Sequence, residues 1–252
     1  MKTAMLLSGM PRFSIEFDST LEYLVNSEID VYIALWKTNS INDPKVSANW
    51  QEIEVAEDVR DLIQPYLPER YKIKHIELVD PFDFWVPPRD YTPMNSSPFN
   101  VWQQYNILKI CDQRRKESGI VYDLVMRARP DVGISHPIDL QLVHNILKER
   151  PMVILTPDNY RCGYPPHGFC DQFAIGLAHT MTTYCEAVYY YDQLYSEGVD
   201  YNPECLLQTV LDKHGIIYPT SNFQISRGGY WQPINHGRWA DLKISRLINK
   251  SG

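Results

Sequence analysis

Tyr122-Asp123-Leu124-Val125-Met126-Arg127-Ala128-Arg129-Pro130-Asp131 is the stretch on which the reading of this chain turns. Leu124, Val125 and Met126 read as a buried strand, and that strand runs directly into two arginines and an aspartate. Side chains alternate along a strand, so Arg127, Arg129 and the strand-end Asp131 are expected on one side. Two guanidiniums and a carboxylate at the carboxyl end of a central strand are costly unless they meet a highly charged group. A sugar-nucleotide diphosphate, with or without a divalent metal, is such a partner. A structural Arg–Asp pair that closes the strand is the competing reading.

Upstream, Thr3 to Leu7 reads as a first strand, stopped by Ser8-Gly9-Met10-Pro11-Arg12. Ile15, Leu21, Leu24 and Val25 place an apolar stripe on a helix over 14–25. Asp30 to Trp36 is a second, almost uninterrupted apolar strand of the kind buried on both faces in a parallel sheet. Strand, helix and strand within 36 residues form a βαβ opening. A helix near 56–66 and a strand over 71–79 follow. Residues 80–98, rich in Pro, Asp, Asn and Ser, read as a long loop of functional type. Val101, Gln104-Tyr105, Leu108 and Cys111-Asp112 recur with helical spacing over 98–118, and Gly119 ends that helix.

Downstream of Asp131, the pattern predicts a helix over 140–148 and a strand over 152–155. An irregular loop over 157–168 leads to a strand over 171–176. Helices are predicted over 180–195 and 203–214, then one or two strands before 227. No repeat or linker composition divides the chain, so one domain spanning 1–252 is expected. The fold class is α/β, a mainly parallel mixed sheet flanked by helices on both faces.

A net charge of −7 and a pI near 5.5 leave no global basic field for nucleic acid or an anionic membrane. Any anion must therefore meet a local cluster of arginines. The 17 Tyr and 6 Trp suit sugar or base stacking as well as cores. Five cysteines, at 111, 162, 170, 185 and 205, form no CxxC pair and fit a reducing compartment. No apolar run has membrane-spanning length and the start of the chain lacks a signal-type core, which together predict a cytoplasmic protein without a transmembrane segment.

The series LLSGMPRF, DVYIALWKT, QYNILKICDQRR, YDLVMRARPD, CDQFAIG, PECLLQTVLDKHGI and ISR, over residues 3–227, resembles GT-A-type glycosyltransferases of bacterial polysaccharide loci and of large viruses and phages. The resemblance implies a GT-A-like, Rossmann-related sheet. It implies a nucleotide-binding half over about 1–131 and an acceptor half over about 132–252. It also implies transfer of a sugar from a nucleoside-diphosphate sugar to a glycan or lipid-linked acceptor, beyond the carboxyl ends of the strands. The chain departs from that pattern at one place. Where metal-dependent members carry Asp-x-Asp to hold Mn²⁺ or Mg²⁺, this chain reads Arg129-Pro130-Asp131.

The chemistry assigns candidate roles. The leaving diphosphate needs its growing charge stabilised, by a metal on Asp131 or by forked hydrogen bonds from Arg127 or Arg129. Both routes stay open. Ser8, Gly9 and Arg12 are candidates for the diphosphate, ribose or base, because glycine permits close backbone approach; an ordinary strand–helix turn is the alternative. Asp171 is the candidate general base for the acceptor hydroxyl, against a loop-capping aspartate. The resemblance offers His236 as a further metal ligand, against a surface histidine, and His167 is equally open. Glu204 reads as a first-turn charge on its helix or a site acid. Trp36 and Trp102 read as core or pocket wall. In the run Tyr189-Tyr190-Tyr191 at least one ring must be exposed.

Two further function classes compete. One is a non-catalytic protein of the same fold that binds a sugar nucleotide or glycan. The other, more distant, is a sulfotransferase using adenosine 3′-phosphate 5′-phosphosulfate, whose phosphate loop the Gly9-Met10-Pro11-Arg12 turn resembles. Glu16 and the lack of small hydroxyl residues after Arg12 count against that reading.

Overall fold

The longest apolar runs of the chain lie side by side at the centre of one sheet. The structure is a computed structural model and describes residues 1–9, 16–36, 60–61, 63–80, 98–157, 170–219 and 225–227. Strand β1 (Thr3–Gly9) pairs in parallel with β3 (Ile29–Trp36) on one side and with β5 (Leu124–Ala128) on the other. Strand β4 (Tyr71–Val79) pairs in parallel with β3. β9 (Phe173–Leu177) runs antiparallel to β5, and β8 (Ile154–Leu155) runs antiparallel to β9. The six-stranded order is β4-β3-β1-β5-β9-β8.

Period-two alternation sends each strand's side chains into two separate cores. Met5, Leu7, Val31, Ile33, Met126 and Phe173 face one side. There they meet Phe17 and Leu21 of α1 (Glu16–Tyr23) and Leu140 and Leu147 of α3 (Leu140–Glu149). Ala4, Leu6, Tyr32, Ala34, Val125 and Ala174 face the other. That side is covered by α2 (Pro98–Glu117), α4 (Ala178–Cys185), α5 (Tyr191–Ser196) and α6 (Pro203–Lys213). The chain is thus α/β, with a mainly parallel mixed sheet and helices on both faces. At Gly176 of β9 an added Cβ would lie 2.9 Å from Thr180 Oγ1 and 3.0 Å from Met181 Cγ, so the absent side chain lets α4 seat against the sheet. Among the described residues, no helix is long and apolar enough to cross a membrane.

Local chemistry sets several boundaries. Asp139 caps α3, its Oδ1 accepting from the Leu142 N–H at 3.0 Å. Asn202 caps α6 by accepting from the Glu204 and Cys205 N–H groups at 3.0 and 3.1 Å, with Pro203 in the first turn. Gly119 and Gly215, each at positive φ, follow the ends of α2 and α6.

Two expectations are corrected, and one feature is new. Leu24 and Val25 do not extend α1; they form β2 (Leu24–Val25), which pairs with β7 (Ile138–Asp139). The helix expected over 180–195 is broken by a 3-10 turn at Ala187–Tyr190. Tyr191 beyond it is buried against Tyr105, with ring centroids 5.0 Å apart, while Tyr189 and Tyr190 are exposed. The chain also turns back after β5: β6 (Val132–Ile134) leaves the main sheet and pairs antiparallel with β10 (Ile225–Arg227). Residues 225–227 agree with a strand in the tail. Of the helix expected over 56–66, only its last part lies among the described residues.

Candidate functional site

The order in which strands enter the sheet marks one place as special. From β1 the chain builds outward through β3 to β4, then returns to lay β5 on the opposite side of β1. In open α/β sheets a reversal of this kind leaves a crevice at the carboxyl ends of the two strands, where ligands bind. Here those ends are Ser8-Gly9 and Arg127-Ala128, aligned through the pairs Leu6↔Arg127 and Leu7↔Ala128. Ser8 lies two residues past Leu6, so its side chain takes the same face as Arg127, with Cα atoms about 8 Å apart by sheet geometry. Gly9 follows at φ +131°, a backbone conformation that side chains rarely adopt.

Arg127 does not open into solvent. It is 1% exposed and lies on the face covered by α2 and α4. Its Nε donates to the main-chain carbonyl of Asp171, while its Nη1 has no partner among the described residues. Asp171, 2% exposed, lies two residues before β9, which its antiparallel course brings to the same edge. The carboxylate Oδ2 of Asp171 accepts from the Gln104 side-chain amide on α2; Oδ1 has no partner among the described residues. Ser8 Oγ, at 1% exposure of its residue, is likewise unpaired. Three buried polar groups at this edge of the sheet therefore each hold an atom without a partner among the described residues. Leaving such an atom unmatched costs about 1–3 kcal/mol.

The expected alternation of Arg127, Arg129 and Asp131 on one side does not hold. Pairing of β5 ends at Ala128, and Pro130 in the next turn has no N–H with which to continue a ladder. Arg129 and Asp131 lie in that turn and form a forked pair: Nε to Oδ1 and Nη2 to Oδ2, each 2.8 Å. Their side chains keep 16% and 12% of their exposure, so the pair is less deeply buried than Arg127.

The interior around Arg127 is of low polarity, as its neighbours show. Burial, and secondly the charge of Asp171, push the Cys170 thiol up to about 12. Burial also raises Tyr184, Cys111 and Cys185, with Arg127 partly opposing the shift in each. Tyr105 is raised by burial first, then by Tyr191 and the Asp171 charge. A charge held in such surroundings acts over distance far more strongly than one in water.

The structure thus brings together Ser8, Gly9, Arg127 and Asp171, and places Arg129 and Asp131 in the adjoining turn. Arg12, His167 and His236 lie outside the described residues. Glu204 sits in the first turn of α6, Trp36 is buried and Trp102 is half-buried. Among the described residues, no group of three or more His, Cys, Asp or Glu is placed to hold a metal, and both oxygens of Asp131 already carry Arg129. These residues do not by themselves fit a Mn²⁺ or Mg²⁺ ion. Gln104 is the contributor that sequence reading missed. Its signal is a polar residue on the stripe of α2 that otherwise carries Val101, Tyr105 and Leu108 inward. Thr156 and Gln172, both buried beside this edge, gave no signal.

No protein-family model matches the sequence, and no curated protein matches it.

Proposed function

We propose that this chain is a GT-A-type glycosyltransferase that moves a sugar from a nucleoside-diphosphate sugar to a glycan or lipid-linked acceptor. The reading is carried by one observation: the unmatched Ser8 Oγ, Arg127 Nη1 and Asp171 Oδ1 lie at the reversal of strand order between β1 and β5. An occupant that satisfies all three must accept hydrogen bonds from a guanidinium and donate one to a carboxylate. A phosphorylated, hydroxylated molecule does both.

In this reading the Ser8-Gly9 turn lets the backbone approach the diphosphate, and Arg127 supplies charge and an Nη1 donor as the leaving oxygen becomes negative. Asp171 Oδ1 takes the proton of the acceptor hydroxyl, held in place by Gln104 at its other oxygen. The Arg129–Asp131 pair stands in the adjoining turn.

Thermal-shift titration against a panel of nucleoside-diphosphate sugars tests the proposal. A donor present at a hundred times its Kd stabilises the folded chain by about 2.7 kcal/mol, a rise in Tm of roughly 5–10 °C at this size. At least one donor produces that rise in the wild type, and Asp131→Ala weakens it. Arg127→Met removes it, while Asp171→Asn keeps donor binding and loses transfer. A panel that leaves Tm unchanged throughout overturns the reading.

A further inference from the structure

Asp131 decides which cation this site uses. A divalent ion on a carboxylate takes the oxygen lone pairs that lie in the carboxylate plane. On Asp131 one of the two in-plane lone pairs of each oxygen is already held, with Arg129 Nε on Oδ1 and Nη2 on Oδ2, both at 2.8 Å. A planar guanidinium matched to both oxygens gives the strongest geometry open to a side-chain pair. The remaining exposure of 16% and 12% leaves little water to compete for either partner. A metal arriving on Asp131 would have to open the fork or take the remaining lone pair of one oxygen, and in either case would sit beside the guanidinium, two positive centres in poorly screened surroundings. No second carboxylate stands two residues before Asp131 to offset that repulsion, because that position is Arg129 itself.

We infer that Arg129 is the resident cation of this site: it caps Asp131 in place of a divalent metal, and the diphosphate binds without one. The inference rests on the glycosyltransferase reading and fixes its cofactor demand. Positive charge toward phosphate then comes from the guanidiniums, with Nη1 of the more deeply buried Arg127 as the unmatched donor.

Two measurements on the full chain test this. Calorimetric titration with UDP, ADP, GDP and CDP is run in EDTA and in millimolar Mn²⁺. Uptake of Mn²⁺ is followed by electron paramagnetic resonance in the wild type, Arg129→Asp, Arg129→Met and Asp131→Asn, with circular dichroism confirming that each folds. The expected result is a diphosphate whose Kd differs by less than about threefold between the two conditions. The wild type leaves the free-Mn²⁺ signal intact, whereas Arg129→Asp, which sets two carboxylates in the turn, depletes it. Binding that requires Mn²⁺ and disappears in Asp131→Asn overturns the inference while keeping the glycosyltransferase reading. If none of the four diphosphates binds under either condition, it is that reading which fails, and the resonance measurement alone then judges the cap. Uptake that appears only after Arg129 is replaced supports it. Equal uptake with and without Arg129, or none in either Arg129 variant, overturns it.

Discussion

The two ends of the sheet hold buried polar groups in opposite ways. Towards the amino ends of the parallel strands most of the groups close on one another, although Asp112 Oδ2 and Arg70 Nε have no hydrogen-bond partner among the described residues. Tyr32 and Tyr122 share a hydrogen bond of 2.8 Å, and the Tyr122 hydroxyl donates to Asp30 Oδ2 at 2.8 Å. Along the same half of α2, Asp112 receives Arg115 Nε at 2.7 Å on one oxygen and faces Lys116 Nζ at 3.1 Å on the other. At the carboxyl ends, Ser8, Arg127 and Asp171 are just as deeply buried, yet each holds an atom without a partner among the described residues. The amino ends are the better satisfied of the two, while the carboxyl ends carry three unmatched atoms on three neighbouring groups.

Breaking the closed end should produce the largest change. Arg115→Met leaves Asp112, 1% exposed at its side chain, with Lys116 alone, and is expected to cost about 3 kcal/mol in urea denaturation. A cost near zero would mean that the charge is not held as the contrast requires.

A smaller effect is expected at the partly exposed Glu77–Arg114 fork on the outer side of α2, where Nε and Nη2 reach the carboxylate at 2.6 and 2.9 Å. Arg114→Met should cost about 1 kcal/mol at neutral pH. The hydrogen bond from Arg114 is the main cause holding Glu77 below its ordinary value of 4.5. A lowered carboxylate contributes stability that is complete above the unfolded value and is lost as pH falls through the folded one. The deficit of Arg114→Met against wild type is therefore expected to shrink as pH drops below 4.5, measured by thermal unfolding across the acid range. A deficit that grows instead would reverse the sign argued here.

The smallest effect belongs to the open end. Ser8→Ala removes an unmatched hydroxyl, and its stability should stay within about 0.5 kcal/mol of wild type or rise. Its affinity for the best nucleoside-diphosphate sugar should fall in the same preparation. A clear loss of stability would show that Ser8 is structurally satisfied, and the contrast between the two ends would then fail at its sharpest point.

Much of this architecture was legible from pattern. β3 was readable because Asp30 to Trp36 is apolar with scarcely a break, and only a strand covered on both faces tolerates that. α2 and α6 were readable because helical spacing, a proline in the first turn and a following glycine agreed. The site was half legible. Ser8, Gly9, Arg127 and Arg129 were singled out as candidates because charged or conformationally special residues ended apolar strands. Gln104 was passed over because a glutamine on a helix stripe carries no mark of its partner. The turn after β5 was misread because alternation was carried past Ala128, where pairing on both sides stops.

The sequence by itself determined which segments become strands and helices and which face of each is apolar, since periodicity and turn chemistry are local. Only the tertiary structure decided that Arg127 meets an Asp171 lying 44 positions away, and that Gln104, 67 positions from Asp171, reaches its carboxylate. Those meetings depend on β9 returning antiparallel beside β5 and on α2 crossing the same face. Both follow from filling two cores at once, a condition that no local stretch of residues contains.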